Sequence, residues 1–214
     1  MSEPRVSRRR AALTVVAGLA ASGAVAGGLW AWLAPPIHGV VALTRSGDRV
    51  RAYLGAESDH WFTAAVMMVG FLGVLAFVGA VLVWQWRAHR GPVLAAALTV
   101  GAAAAGAVAT GVGALVVHWR YGTIDVAAAP VTEEHRIHYV TEAPAVFFGH
   151  SPWQIAATVL LPAAVAALVY VLAVVATSRD DLGGWPPVDY AALATGRTET
   201  AGDVPPVAPS APSP

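Results

Sequence analysis

The sequence predicts an all-α transmembrane fold, a four-helix polytopic membrane bundle with a small β-rich extracytoplasmic cap built from two loops and a disordered C-terminal tail. Three observations predict it. Four runs, Ala11 to Leu33, Trp61 to Val83, Val93 to Val117 and Trp153 to Thr177, contain no Asp, Glu, Arg, Lys or His. At a rise of about 1.5 Å per residue each is long enough to cross roughly 30 Å of hydrocarbon. Seven of the eight tryptophans, Trp30, Trp32, Trp61, Trp84, Trp86, Trp119 and Trp153, fall at the ends of these runs, where an amphipathic indole suits the headgroup level. The composition agrees: 57% of the residues are hydrophobic and 12% charged, against about 25% charged in an ordinary soluble domain.

Residues 1–10 form a basic N-terminal segment with Arg5, Arg8, Arg9 and Arg10. Together with Arg87 and Arg90 in the second connection and Arg179 after the fourth run, they place both termini in the cytoplasm of a multi-pass protein of the cell (inner/plasma) membrane. Arg45, Arg49, Arg51, Arg120 and Arg136 lie in the opposing loops and make that bias moderate. The first run continues past Ala24-Val25-Ala26 to Trp30 and Trp32, which reads as a retained span rather than a cleaved secretory signal. Pro35-Pro36 ends it.

The outer loop 34–60 holds two β-prone segments, Gly39 to Thr44 and Arg49 to Leu54, around Ser46-Gly47-Asp48, the pattern of a hairpin. Glu57-Ser58-Asp59-His60 then leads into the second span, with Ser58 or Asp59 expected to cap it. Gly91-Pro92 and Ser151-Pro152 open the third and fourth spans with proline at the first helical position, where its missing N–H costs nothing. The third span is more than half Ala and Gly, so its own hydropathy is weak and it needs neighbours. Gly101, Ala105, Ala109 and Gly113 recur every four residues along it and predict a smooth helix-packing stripe, with Gly23 and Gly27 a shorter counterpart on the first span. In the outer loop 118–152, Gly122 to Val126 and Arg136 to Thr141 have strand character. Pro162 removes a backbone donor inside the fourth span and predicts a bend near Thr158. The membrane domain thus covers residues 11–177. Residues 178–214 form a Pro/Ala-rich cytoplasmic tail, in which Pro205 to Pro209 suits a polyproline-binding partner.

Composition also removes function classes. With no cysteine, no thiolate serves as nucleophile or metal ligand and no disulfide staples a loop. The net charge is zero, and no basic stretch is interleaved with aromatics, which excludes nucleic acid as a partner. No Ser, His and Asp order matches a nucleophile elbow, and the glycines lack the lysine of a phosphate loop. No catalytic residue is therefore assigned, and the chain reads as a non-enzyme more readily than as an enzyme.

Six of the seven histidines, His38, His60, His118, His135, His138 and His150, lie in the outer loops or at their edges. They read first as interfacial or hydrogen-bonding groups. No cofactor is predicted; zinc at His135 and His138 is the single metal alternative, weakened because residues three apart on a strand point to opposite sides. Glu57, Asp59 and His60 at the mouth of the second helix form the candidate ligand- or partner-binding group, a carboxylate and imidazole pairing able to exchange protons. In the motif Tyr53-Leu54-Gly55-Ala56-Glu57-Ser58-Asp59-His60-Trp61-Phe62, and in its layout over residues 11 to 177, the chain resembles an actinobacterial integral membrane protein family of unknown function (DUF2567-like). That resemblance implies an envelope-membrane protein and transfers no catalytic residue.

The functional expectation is a non-enzymatic accessory or scaffold component of the cell envelope, whose partners are the lipid bilayer and other membrane proteins or further copies of itself. A subunit of a small-molecule transporter is the alternative, disfavoured because ionisable residues are missing from the spans. A metal-dependent membrane enzyme using the outer-loop histidines comes third.

Overall fold

The computed structural model describes residues 6–179 together with 182 and 183. Among these residues four long helices dominate: α1 (Arg8–Leu33), α2 (Asp59–Gln85), α3 (Pro92–Tyr121) and α4 (Pro152–Val175). All four are long and apolar enough to cross a membrane. Three strands, β1 (Ile37–Leu43), β2 (Arg49–Tyr53) and β3 (Ile137–Glu142), form one antiparallel sheet in the order β2-β1-β3. It gathers at one end of the bundle, the sheet end. Arg8, the 3-10 turn Arg87–His89 and Val175 mark the opposite end. The expected disordered tail and its Pro205 to Pro209 segment lie outside the described residues.

Helix boundaries differ from the uncharged runs because backbone hydrogen bonding, not hydropathy, decides where a helix stops. Helix α1 takes in Arg8, Arg9 and Arg10, capped by the Ser7 hydroxyl, which accepts from the Arg10 N–H at 3.3 Å. Helix α3 runs on to Tyr121, and α4 stops two residues before Thr177. The prolines do open α3 and α4, and at α4 a capping box joins Ser151 and Gln154. Gly122 to Val126 is not a strand. Gly122 takes a positive φ of 68° and donates its N–H to His118 C=O at 2.8 Å, ending α3, and the chain then turns at Asp125, whose carboxylate accepts from the Ala127 and Ala128 N–H groups.

Around the bundle α1 packs most extensively on α3, α3 on α4 and α4 on α2, with a looser α1 to α2 contact closing the ring. The α1–α3 seam is made of small residues. A Cβ added at Gly23 would overlap the backbone of Ala105, and one at Gly27 the backbone of Ala109. One turn further along, Gly113 lies beneath Trp30 and Met68, and at the other end Gly101 lies against Val16 and Leu19. On its other side α3 presents Gly106 to Val159 and Pro162 of α4. Backbone contact of this kind supplies dispersion energy where large apolar side chains are few. The helix with the most Ala and Gly is accordingly the best enclosed: 44% of its most apolar window is buried, against 22 to 28% for the others.

Trp30 departs from the expected belt of tryptophans. It is fully buried, and its Nε1–H donates to the Ala64 carbonyl of α2 at 2.8 Å. Trp32, Trp119 and Trp153 stay 72 to 87% exposed, as interfacial indoles do. Leu13, Val25, Val74, Leu115 and Leu172 are also exposed, so the flank of the bundle is apolar, a surface that suits hydrocarbon better than water.

The adjacent glycines of α1 give a controlled test. Gly27→Ala is expected to destabilise the detergent-purified protein by about 1 to 3 kcal/mol, the usual range for overpacking. Gly28→Ala meets nothing within 4 Å and should leave the thermal midpoint unchanged or slightly raised. Equal midpoints for the two variants would contradict the seam.

Candidate functional site

The chain leaves α1 through Ala34, Pro35 and Pro36 and enters β1 at Ile37. The hairpin register pairs Gly39 with Tyr53, so the next positions outward, His38 and Leu54, meet, and the Leu54 N–H donates to His38 C=O at 3.2 Å. Three residues later Glu57 reaches back. Its Oε2 accepts from the His38 N–H at 2.9 Å and lies 3.0 Å from His38 Nδ1 and 3.1 Å from His60 Nδ1. His60 Nδ1 is also 2.9 Å from the Pro36 carbonyl. A carbonyl and a carboxylate only accept, so Nδ1 carries the hydrogen in both rings, and in the neutral rings Nε2 holds the lone pair.

One carboxylate therefore ties the exit of α1, the start of β1 and the first turn of α2. The Glu57 carboxyl is held below its ordinary pKa, chiefly by the His38 backbone N–H. Partial burial opposes this, and the His38 side-chain hydrogen bond and the His60 and His38 charges add to the lowering. Chemically, the cluster fixes two imidazoles in one tautomer, each with Nε2 left as the acceptor.

Of the residues singled out in sequence, Glu57 and His60 come together and Asp59 does not join them. Asp59 is exposed at the start of α2, lining a shallow cavity with Ser58, Trp61, Phe62, Phe147 and Phe148. The expected side-chain cap is absent: Ser58 is helical in φ and ψ and makes no capping bond. Instead a run of i to i−3 backbone bonds, from Glu57 N–H to Leu54 C=O through Trp61 N–H to Ser58 C=O, uses the first amides of the helix. His135 sits in a turn before β3, its N–H on Thr132 Oγ1 at 3.1 Å. His138 is within β3 opposite Val41. Among the described residues no three His, Asp or Glu side chains are arranged to hold a metal ion. The packing residues Gly101, Ala105, Ala109 and Gly113 lie on the α1–α3 seam.

Sequence reasoning read His38 only as one of six interfacial or hydrogen-bonding histidines and missed its pairing with Glu57, 19 positions away. The hairpin register was the signal that could have found it, because extending the ladder one pair past Gly39 and Tyr53 sets His38 beside Leu54.

The register also sorts the sheet into two unlike faces. Val40, Ala42, Val50, Ala52, Ile137 and Tyr139 fall on one face through the pairs Val40–Ala52, Val40–Tyr139, Ala42–Val50 and Ala42–Ile137, and the pair His38–Thr141 completes it at the start of β1. Ile137 is 57% and Tyr139 70% exposed. The other face holds the buried Ile37 and Val41 and the Arg51 to Glu142 ion pair at 3.3 Å, which links β2 to β3 across β1.

Residues 19–184 match the family described as protein of unknown function (DUF2567), and the chain belongs to it. An uncharacterized protein of Mycobacterium tuberculosis strain H37Rv is 54% identical over 183 residues, covering 85% of this chain and 94% of that one. An uncharacterized protein of Mycobacterium leprae is 52% identical over 177 residues, covering 83% and 89%. The family is thus represented in actinobacteria. No solved structure matches the chain.

Because the Glu57 pKa is lowered in the folded protein, its contribution is present above the ordinary carboxyl pKa and is lost as pH falls through the lowered value. Acidification below the carboxyl range should lower the hydrogen-exchange protection factors of residues 37–54, taken relative to the intrinsic rate at each pH, while α1 and α3 stay protected. Glu57→Ala should show the lower protection already at neutral pH. If the variant's exchange in this segment matched that of the parent, the tie would be without effect.

Proposed function

We propose that the protein is a non-enzymatic accessory or scaffold component of the cell-envelope membrane, whose four-helix bundle holds the sheet out of the bilayer as a docking platform for another envelope protein. The apolar sheet face carries this reading. A sheet with one covered face normally sets polar side chains on the other. Here the exposed face carries Val40, Ala42, Val50, Ala52, Ile137 and Tyr139, with His38 and Thr141 as one polar pair at its edge, while the charges of β2 and the Glu142 of β3 fall on the opposite face. An exposed apolar surface in water is a contact surface by default.

In this reading the protein lies in the cell membrane with both termini cytoplasmic, supported by Arg8, Arg9, Arg10, Arg87 and Arg90 at the end away from the sheet. Glu57 sets the pitch of the platform by fixing β1 to α2. A transporter subunit fits less well, since the uncharged runs offer no ionisable group to line a pathway.

A photoreactive residue placed at Ile137 or Tyr139 in native membranes should crosslink to one discrete protein species. Placed at Asp48, in the hairpin turn, it should not. Val50→Asp is expected to reduce the Ile137 crosslink at least about fivefold, consistent with loss of a buried contact of more than about 1 kcal/mol. Adducts to lipid alone, or equal crosslinking from Asp48, would defeat the reading; a product of twice the chain's mass would identify the partner as a second copy.

A further inference from the structure

At the end of the bundle away from the sheet, a cavity of about 150 Å³ is lined by Arg8, His89, Arg90, Gly91 and the first turn of α3. Three features of its wall favour an anion. The first is the start of a 30-residue helix. Its first helical hydrogen bond is Ala95 N–H to Gly91 C=O at 3.1 Å, so the amides of Val93 and Leu94, both on the wall, precede it and have no partner within the helix. The helix dipole adds partial positive charge at the same place. Gly91, at φ 142°, takes a backbone conformation that other residues rarely adopt, and its own N–H is already given to the Tyr170 hydroxyl at 3.1 Å.

Second, the two arginines have no acidic partner among the described residues. The ion pairs there all involve Glu57 or Glu142 at the sheet end. Neutral groups hold Arg90 in place: Nε donates to Trp84 C=O at 2.9 Å, Nη1 to Leu182 C=O at 2.6 Å, and the guanidinium stacks over the Trp84 ring at 4.2 Å. Burial and the nearby Arg87 lower its pKa.

Third, His89 is 9% exposed, and its Nδ1 has no hydrogen-bond partner among the described residues. Its Nε2 lies 3.0 Å from the Val6 carbonyl and so carries a hydrogen. Nδ1 is therefore an orphaned acceptor in the neutral ring and a free donor in the protonated one. Buried polar atoms without a partner are rare, and this one belongs to a residue of the cavity wall.

We propose that this cavity binds a phosphoryl group, presented by an anionic lipid headgroup or as free phosphate, through Arg8, Arg90, the Val93 and Leu94 amides and His89. Arginine beside unpaired helix amides is a recognised arrangement for phosphate oxygens, and basic pockets at helix ends receive lipid headgroups. The site is independent of the docking platform, being at the other end of the molecule.

The test uses the full chain purified in a non-ionic detergent. Inorganic phosphate is titrated in one arm, and in the other mixed micelles carrying short-chain phosphatidylglycerol or, as control, phosphatidylcholine; the thermal midpoint and tryptophan fluorescence are read. Saturable stabilisation by phosphatidylglycerol alone assigns a lipid headgroup, and stabilisation by phosphate as well assigns the free anion. Arg8→Gln, which removes an exposed side chain with no partner among the described residues, should weaken binding about tenfold, as loss of one charge-assisted contact does. Arg9→Gln removes the same charge outside the cavity and should weaken it less than about twofold, the effect of a screened surface charge. His89→Gln, with its helix content checked by circular dichroism, reports on the buried wall. No saturable response to either probe, an equal response to phosphatidylcholine, or equal loss in the Arg8 and Arg9 variants would overturn the proposal.

Discussion

The contact on which the rest of the structure depends is the close approach of α1 to α3, where Gly23 meets Ala105 and Gly27 meets Ala109. A methyl on either glycine would push the backbones apart. With the seam closed, Gly113 leaves room for the Trp30 ring, which is then buried and reaches the Ala64 carbonyl of α2. That one hydrogen bond sets α2 against the end of α1. The position of His60, the exit of the chain at Pro36 and the meeting of both with Glu57 follow from it. On the far side, Gly106 admits Val159 and Pro162 of α4, so α3 is the post on which two other helices hang. Its small residues give little transfer energy and much access to backbone.

The sheet end and the opposite end solve their electrostatics in different ways. Around Glu57 the charges are matched locally, with two imidazoles and a backbone N–H converging on one oxygen. Around Arg90 the cation is satisfied by carbonyls and an indole face, partners that hold a guanidinium without cancelling it. The Glu57 cluster contributes order to the fold, whereas a cation at a helix start with no acidic partner among the described residues keeps its field available to a ligand.

Much of the architecture was legible. Uncharged runs, opening prolines and the alternating hairpin each encode a local preference, and local preferences survive into the fold. The small-residue ladder was legible as a stripe, because four-residue spacing defines a face whatever it meets. What could not be read was anything fixed by the meeting of distant segments. Trp30 looks like a belt residue until α2 is known to offer it a carbonyl 34 positions away. His38 joins Glu57 only through the hairpin register. Gly122 to Val126 has strand composition, but Gly122 ends a helix with positive φ and the chain then turns at Asp125. At α2, Ser58 and Asp59 have capping identities, yet the tight turn that precedes them has already used the amides they would cap.

The sheet takes β1 and β2 from the connection between α1 and α2, and β3 from the connection between α3 and α4. In a protein whose helices cross a membrane, those two connections share a side when α2 and α3 have both gone through, and not when only one of them has. The pairing of Val41 with His138 and of Ile37 with Glu142 is then a record of topology. A chain whose alanine-rich third helix had failed to insert would leave β3 on the wrong side, β1 with a bare edge and Arg51 without Glu142. In such a protein the sheet would act as a latch that a molecule with only one of the two helices inserted could not close.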